Sequence, residues 1–165
     1  SKSYYNEIIN DNSIENVILG LTWFSNRLVD EKGNKFVDTN FELRKKSISL
    51  LVKNFKDKNK TVYLLGPIEI PRKEFSPEVL SREIIFKDKK KLKLKKPRDN
   101  FETKYRDIID HLDFVLKDNF LKPHKILCDV NSCYFADKNG SFFSDFNHLS
   151  KYGSLKMIKI FEKLK

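Results

Sequence analysis

Three short apolar runs, "NVILGLTW" (16–23), "TVYLLGP" (61–67) and "HKILCDV" (124–130), alternate along the chain with stretches of helical periodicity. This alternation constrains the fold more than any other feature. Each run has the length of a buried strand, and the connections between runs are long enough for crossover helices. Strands that alternate with helices predict a parallel sheet under helical covers, an α/β fold. The first predicted helix is capped by Asp38 or Thr39 and carries Leu43, Ser47, Leu50, Leu51 and Phe55 at helical spacing. A second spans "NFETKYRDIIDHLDFVLKDNFL" (100–121), with Tyr105, Ile108, Ile109, Leu112, Val115 and Leu116 as its apolar stripe. Leu155, Ile158 and Phe161 mark a last helix after Ser150. "DEKGNK" (30–35) reads as a turn, and the two prolines of "IEIPRKEFSP" (68–77) discourage a helix or a central strand there. No internal repeat is visible. Three strands fall short of the five or six usual in a sheet, which points to a strand outside this chain.

A chain of 165 residues fits a single domain, 1–165, and can bury a substantial core. It has no apolar run of the roughly 18 residues that a membrane helix needs, and "SKSYYNEIIND" lacks the apolar core of a signal peptide. The net charge of +10 attracts polyanions: nucleic acid, anionic lipid head groups or acidic glycans. Much of the excess lies in "KDKKKLKLKKPR" (87–98), read as a solvated basic loop. That stretch lacks the interleaved aromatics that stack bases, so nucleic acid is disfavoured as a partner. Beside a bilayer, the same charge would contact anionic lipid or a charged glycan.

The chemistry concentrates in "FFSDFNHLSKYG" (142–153), where Asp145 stands three residues before His148. An acid at that spacing can fold back in one turn and hold one imidazole nitrogen, leaving the other to face a nucleophile. Ser150 is placed to cap the following helix. The other two histidines, His111 and His124, read as surface or packing residues. Cys128 and Cys133 fit either a disulfide or two buried thiols. Two cysteines and scattered histidines do not make a zinc site.

"SDFNHLSKYG" looks like the last conserved block of SGNH hydrolases, whose D-x-x-H supplies acid and base. Its longer form, D-x-x-H-L-S-x-x-G, is present as Asp145, His148, Leu149, Ser150 and Gly153. It resembles the SGNH domain fused to the membrane O-acyltransferases of acyltransferase family 3, which acetylate bacterial surface polysaccharides such as O-antigen. "NVILGLTWF", "VYLLGPIEIP" and "ILCDVNSCYF" resemble that subgroup's tryptophan-ended strand, its Gly-Pro-ended strand and its cysteine pair.

The resemblance implies a three-layer, flavodoxin-like SGNH fold in the periplasm, linked to a membrane-embedded acyltransferase domain. His148 would be the general base, oriented by Asp145. Trp23 occupies the place where other SGNH enzymes carry an oxyanion-hole asparagine; its indole N–H would donate a bond, or its ring would wall the site. Gly20 and Thr22 would be backbone contributors. A Cys128–Cys133 disulfide is implied as well, in keeping with an oxidising compartment. The family's nucleophilic serine lies in a G-D-S motif after the first strand, and no G-D-S occurs here. Ser25 and Ser144 do not sit in an elbow that would expose and activate them, so the first strand and its serine are expected upstream of this chain. The triad itself needs no metal or bound organic cofactor, and the membrane domain would deliver the acetyl donor. Two alternatives use the same sequence differently: a free-standing carbohydrate O-acetylesterase, and a non-catalytic basic binding module acting through Lys89, Lys90 and Lys91.

Overall fold

The computed structural model describes residues 2–23, 25, 27–30, 32–71 and 94–164. Its elements begin with α1 (Lys2–Asn10), β1 (Asn16–Gly20), β2 (Arg27–Val29), β3 (Lys35–Val37), α2 (Glu42–Lys56) and β4 (Thr61–Leu65). They continue with β5 (Lys95–Pro97), α3 (Arg98–Leu116), β6 (Phe120–Leu121), α4 (His124–Leu127), β7 (Ser132–Tyr134), β8 (Ala136–Asp137), β9 (Gly140–Ser141) and α5 (Lys151–Met157). The chain divides into two compact units, one of residues 1–67 and 105–121, the other of residues 68–104 and 122–165. No helix among the described residues is long and apolar enough to cross a membrane.

The first unit holds a parallel sheet of order β1-β4-β6, with Val17 opposite Val62 and Leu64 opposite Phe120. The fold is α/β, as the alternation predicts. Strand β4 is central, so Val62, Tyr63 and Leu64 are all buried, as expected for a strand covered on both faces. Helix α2 buries Ile48, Val52 and Phe55, and the part of α3 in this unit buries Tyr105, Ile108, Leu112 and Leu116. Each such side chain contributes about 1.5–3 kcal/mol by leaving water. Leu43 and Leu50, assigned to the apolar stripe of α2 from sequence, are exposed. The buried face lies around the helix from them, because it follows the Ile48–Val52–Phe55 spacing.

Asp38 does cap α2, but across a kink. A 3₁₀ turn at Thr39–Phe41 comes first, and the Asp38 carboxylate then accepts from the N–H groups of Leu43 (2.8 Å) and Arg44 (3.2 Å). The 30–35 turn is present between β2 and β3, tied by Asp30, which accepts from the backbone of Lys32 and Asn34.

The run "HKILCDV" is not the third strand. Helix α3 stops at Leu116, Lys117 takes φ 52°, and Phe120–Leu121 then pairs with Leu64–Leu65. A left-handed residue just past a helix end is a common way to stop it. Pro123, at φ −62°, next starts the short helix α4. Gly66 fits this crossing closely: a Cβ there would sit 2.5 Å from the Phe120 ring, and Gly66 N donates to Leu121 O at 2.9 Å.

In the second unit, the C-terminal end of the basic stretch is a strand rather than a solvated loop. Strand β5 pairs antiparallel with β7, placing Lys96 opposite Cys133. Lys96 is buried, its ammonium 3.3 Å from Glu69 and over the Phe135 ring. Residues 87–93, including Lys89, Lys90 and Lys91, lie outside the described residues. The last helix also turns differently from the sequence reading. Leu155 and Ile158 are exposed, while Gly153, Met157 and Ile160 face inward.

Candidate active site

The segment from Phe142 to Ser150 leaves strand β9 and returns to helix α5, and its base is closed by backbone hydrogen bonds. Phe142 N donates to Phe135 O (2.8 Å), Ser150 N to Phe142 O (2.9 Å) and Ser144 N to His148 O (2.8 Å). Phe143 bridges Leu149 in antiparallel fashion, and both Phe142 and Phe143 are buried anchors. Adjacent apolar side chains anchor the base of this surface loop, and its tip is polar apart from the exposed Phe146.

At the tip, Asp145 organises the turn. Its Oδ1 accepts from Asn147 N and His148 N, each at 2.8 Å, and its Oδ2 lies 2.7 Å from His148 Nδ1. The Asn147 N–H and the His148 ring hold the Asp145 carboxyl below the usual carboxylate range. A carboxylate can only accept, so Nδ1 carries a ring proton, and in the neutral imidazole Nε2 is the acceptor. Among the described residues none hydrogen-bonds Nε2, and the His148 side chain is 73% exposed against 37% for Asp145. The turn therefore offers a fixed base with an open nitrogen.

The remaining motif residues build the support. Ser150 caps α5: its Oγ accepts from Gly153 N (3.0 Å) and donates to Ser141 O (2.6 Å). Gly153 packs on the Phe142 backbone so closely that a Cβ would fall 1.9 Å from Phe142 O. Asp137, on the β8–β9 hairpin, accepts from Tyr152 Oη at 2.8 Å and Lys156 Nζ at 2.9 Å, clasping hairpin to helix. Desolvation works against the Asp137 carboxylate, but the Lys156, Asn139 and Tyr152 hydrogen bonds outweigh it and bring its pKa to about 2. Nothing in the motif signalled this clasp, although Tyr152 and Lys156 both lie in the helix that Ser150 caps.

Cys128 and Cys133 form a disulfide between the end of α4 and strand β7. His124 is buried against Phe101, and desolvation, with Arg98 next, lowers its pKa to about 4. It is a neutral packing residue at neutral pH.

The strand-end residues lie in the first unit. Trp23 is 5% exposed, and its Nε1 donates to Leu65 O at 2.9 Å, so the indole's one donor is engaged with the backbone. Its own carbonyl accepts from Tyr105 Oη at 3.4 Å, and Phe41 stands edge-on to the ring. Gly20 ends β1 with open space where a Cβ would go. A cavity of about 390 Å³ flanks this end, lined in part by Leu19, Leu21, Thr22, Ser25, Arg44 and Ile48. Sequence reasoning missed Arg44, whose guanidinium donates to the carbonyls of Thr22 and Ser25 and so shapes the loop.

Neither serine near the motifs is activated. Ser25 Oγ accepts from Arg27 N, and Ser144 Oγ donates to His148 O at 3.3 Å. Ser49 Oγ lies 3.1 Å from His111 Nε2, but that nitrogen also faces Lys45 O at 3.2 Å. A carbonyl only accepts, so Nε2 carries a proton there and cannot act as base for Ser49.

The fold matches the solved periplasmic domain of a lipopolysaccharide acetyltransferase from Salmonella ser. Paratyphi A, with a TM-score of 0.64 and 18% identity. The match takes in 99% of this chain and 60% of that one. No curated protein matches the sequence. Residues 2–163 match the family described as the SGNH domain fused to AT3 domains, and the chain belongs to that family.

Proposed function

We propose that this chain is the SGNH part of a membrane-anchored O-acetyltransferase that modifies a bacterial surface polysaccharide such as O-antigen. The observation that carries the reading is the Asp145–His148 pair: Nδ1 held at 2.7 Å by the carboxylate, Nε2 open. Family membership supports acyl chemistry and a membrane acyltransferase domain in the same polypeptide. The Salmonella domain, by its fold, supports placement on the periplasmic side.

The nucleophile is a serine from a segment upstream of this chain. Two observations support this. Among the described residues no serine hydrogen-bonds His148 Nε2, and no strand pairs with the outer edge of β1. In the first half-reaction, the serine Oγ attacks the carbonyl carbon of an acetyl donor delivered through the membrane domain, while Nε2 takes the hydroxyl proton. The donor's leaving group departs with that proton, and an acyl-serine forms. In the second, a sugar hydroxyl attacks the acyl-serine and loses its proton to Nε2. The sugar ester leaves, and the proton returns to the serine. Asp145 keeps the ring in the right tautomer throughout. The lysines of residues 87–93 would meet anionic lipid head groups or the charged glycan.

The test is fluorophosphonate labelling of the complete polypeptide, with the labelled residue mapped by mass spectrometry. Labelling of one upstream serine, lost in His148→Ala, is the expected result. Labelling of a serine within 1–165 would place the nucleophile in this chain instead. The absence of labelling in folded protein would favour the binding module.

A further inference from the structure

Phenylalanine is abundant here, with 14 residues, and most of the described ones are buried. Phe146 is not: it is 52% exposed, at the tip of the turn between Asp145 and His148. Chance exposure of one aromatic ring would be unremarkable. Its setting is what matters. The flanking residues Asp145, Asn147 and His148 are locked together by three hydrogen bonds that one carboxylate accepts, so the Phe146 backbone has little freedom. The loop base is further fixed by the Ser150 cap and the Asp137 clasp. A ring carried there is half-exposed and held two residues from His148.

We propose that Phe146 is an acceptor-binding residue, giving the C–H face of a pyranose ring a stacking surface while a hydroxyl of that sugar reaches His148. The inference rests on the proposed acyl transfer and deepens it, because it assigns the acceptor class to a side chain. A pyranose has one apolar face formed by axial C–H groups, and stacking it on an aromatic ring releases water from both surfaces. An acceptor held in this way keeps its hydroxyls free for the base. Water needs no such surface, so Phe146 would favour transfer over hydrolysis without altering the triad.

The complete polypeptide would be assayed with p-nitrophenyl acetate as acyl donor and methyl α-D-galactopyranoside or methyl α-L-rhamnopyranoside as acceptor. Phe146→Leu preserves an apolar side chain of similar bulk and removes the ring, so folding is maintained. The expected result is a rise of about tenfold in the KM for the methyl pyranoside, with p-nitrophenol release in sugar-free buffer unchanged and Phe146→Tyr close to wild type. An unchanged KM in Phe146→Leu would overturn the proposal. So would a parallel fall in sugar-free hydrolysis, since the ring would then be supporting the triad. If the wild type neither hydrolyses the ester nor takes the fluorophosphonate label, it is the triad reading that fails. Saturation transfer from protein to the methyl pyranoside C–H protons then still answers for Phe146: loss in Phe146→Leu supports it, and persistence overturns it.

Discussion

The Asp145–His148 turn and the Trp23 strand end use their hydrogen bonds in opposite ways. In the turn, every bond is made within four residues, the ring it positions is 73% exposed, and one imidazole nitrogen is left open. At the strand end, the indole N–H crosses 42 residues to Leu65 O, the ring is buried, and no donor on it is left to offer. The first arrangement adds little to global stability but leaves a ring nitrogen for a partner; the second adds to stability and leaves no donor free. A site can thus be read by asking which polar groups the fold has already used.

Stability measurements can break this comparison, and Trp23 has the largest expected effect. Trp23→Ala removes a buried ring and strands the Leu65 carbonyl, so a loss of about 3–5 kcal/mol is expected in urea unfolding. A loss below about 1 kcal/mol would mean that the strand end is not a packed region. Gly153→Ala comes next, because its Cβ would collide with the Phe142 backbone. A loss of about 3 kcal/mol is expected, since backbone rather than a flexible side chain must move.

His124 sharpens the picture through pH. Its folded pKa, about 4, lies below the ordinary 6.5, so the unfolded chain binds the proton more readily between those values. Its contribution is full above about pH 6.5 and declines as pH falls toward 4, by on the order of 2 kcal/mol. In thermal melts across that window, wild type should lose stability relative to His124→Phe as pH falls. Parallel melting temperatures would show that the burial of His124 costs nothing. The smallest expected stability effect belongs to His148→Ala, within about 0.5 kcal/mol, as for an exposed side chain outside any core contact.

What was legible in the sequence follows the same division. The D-x-x-H-L-S-x-x-G pattern could be read because its bonds are local: Asp145 to His148, Ser150 to Gly153. Strands β1 and β4 were visible as apolar runs of five residues or more. Strand β6, with only Phe120 and Leu121, has no alternation to detect, and the apolar "ILC" after Pro123 drew the prediction into what is helix α4 and the start of the disulfide loop. The buried faces of α2 and α5 differ from the sequence reading because apolar side chains stand on both faces, Leu50 opposite Val52 and Leu155 opposite Met157, and spacing alone cannot say which one meets the core. The engagement of Trp23 with Leu65 and of Arg44 with Thr22 and Ser25 depends on long-range approach, which no local pattern encodes.

The central claim is that the exposed imidazole of His148, and not the buried strand end, carries the chemistry. Its most direct test is the steady-state rate of p-nitrophenyl acetate turnover by the complete polypeptide, for wild type and His148→Ala, with unfolding measured on the same samples. The account predicts a rate lower by about 10³-fold in the variant at unchanged stability. A rate within twofold of wild type in the equally stable variant would contradict it.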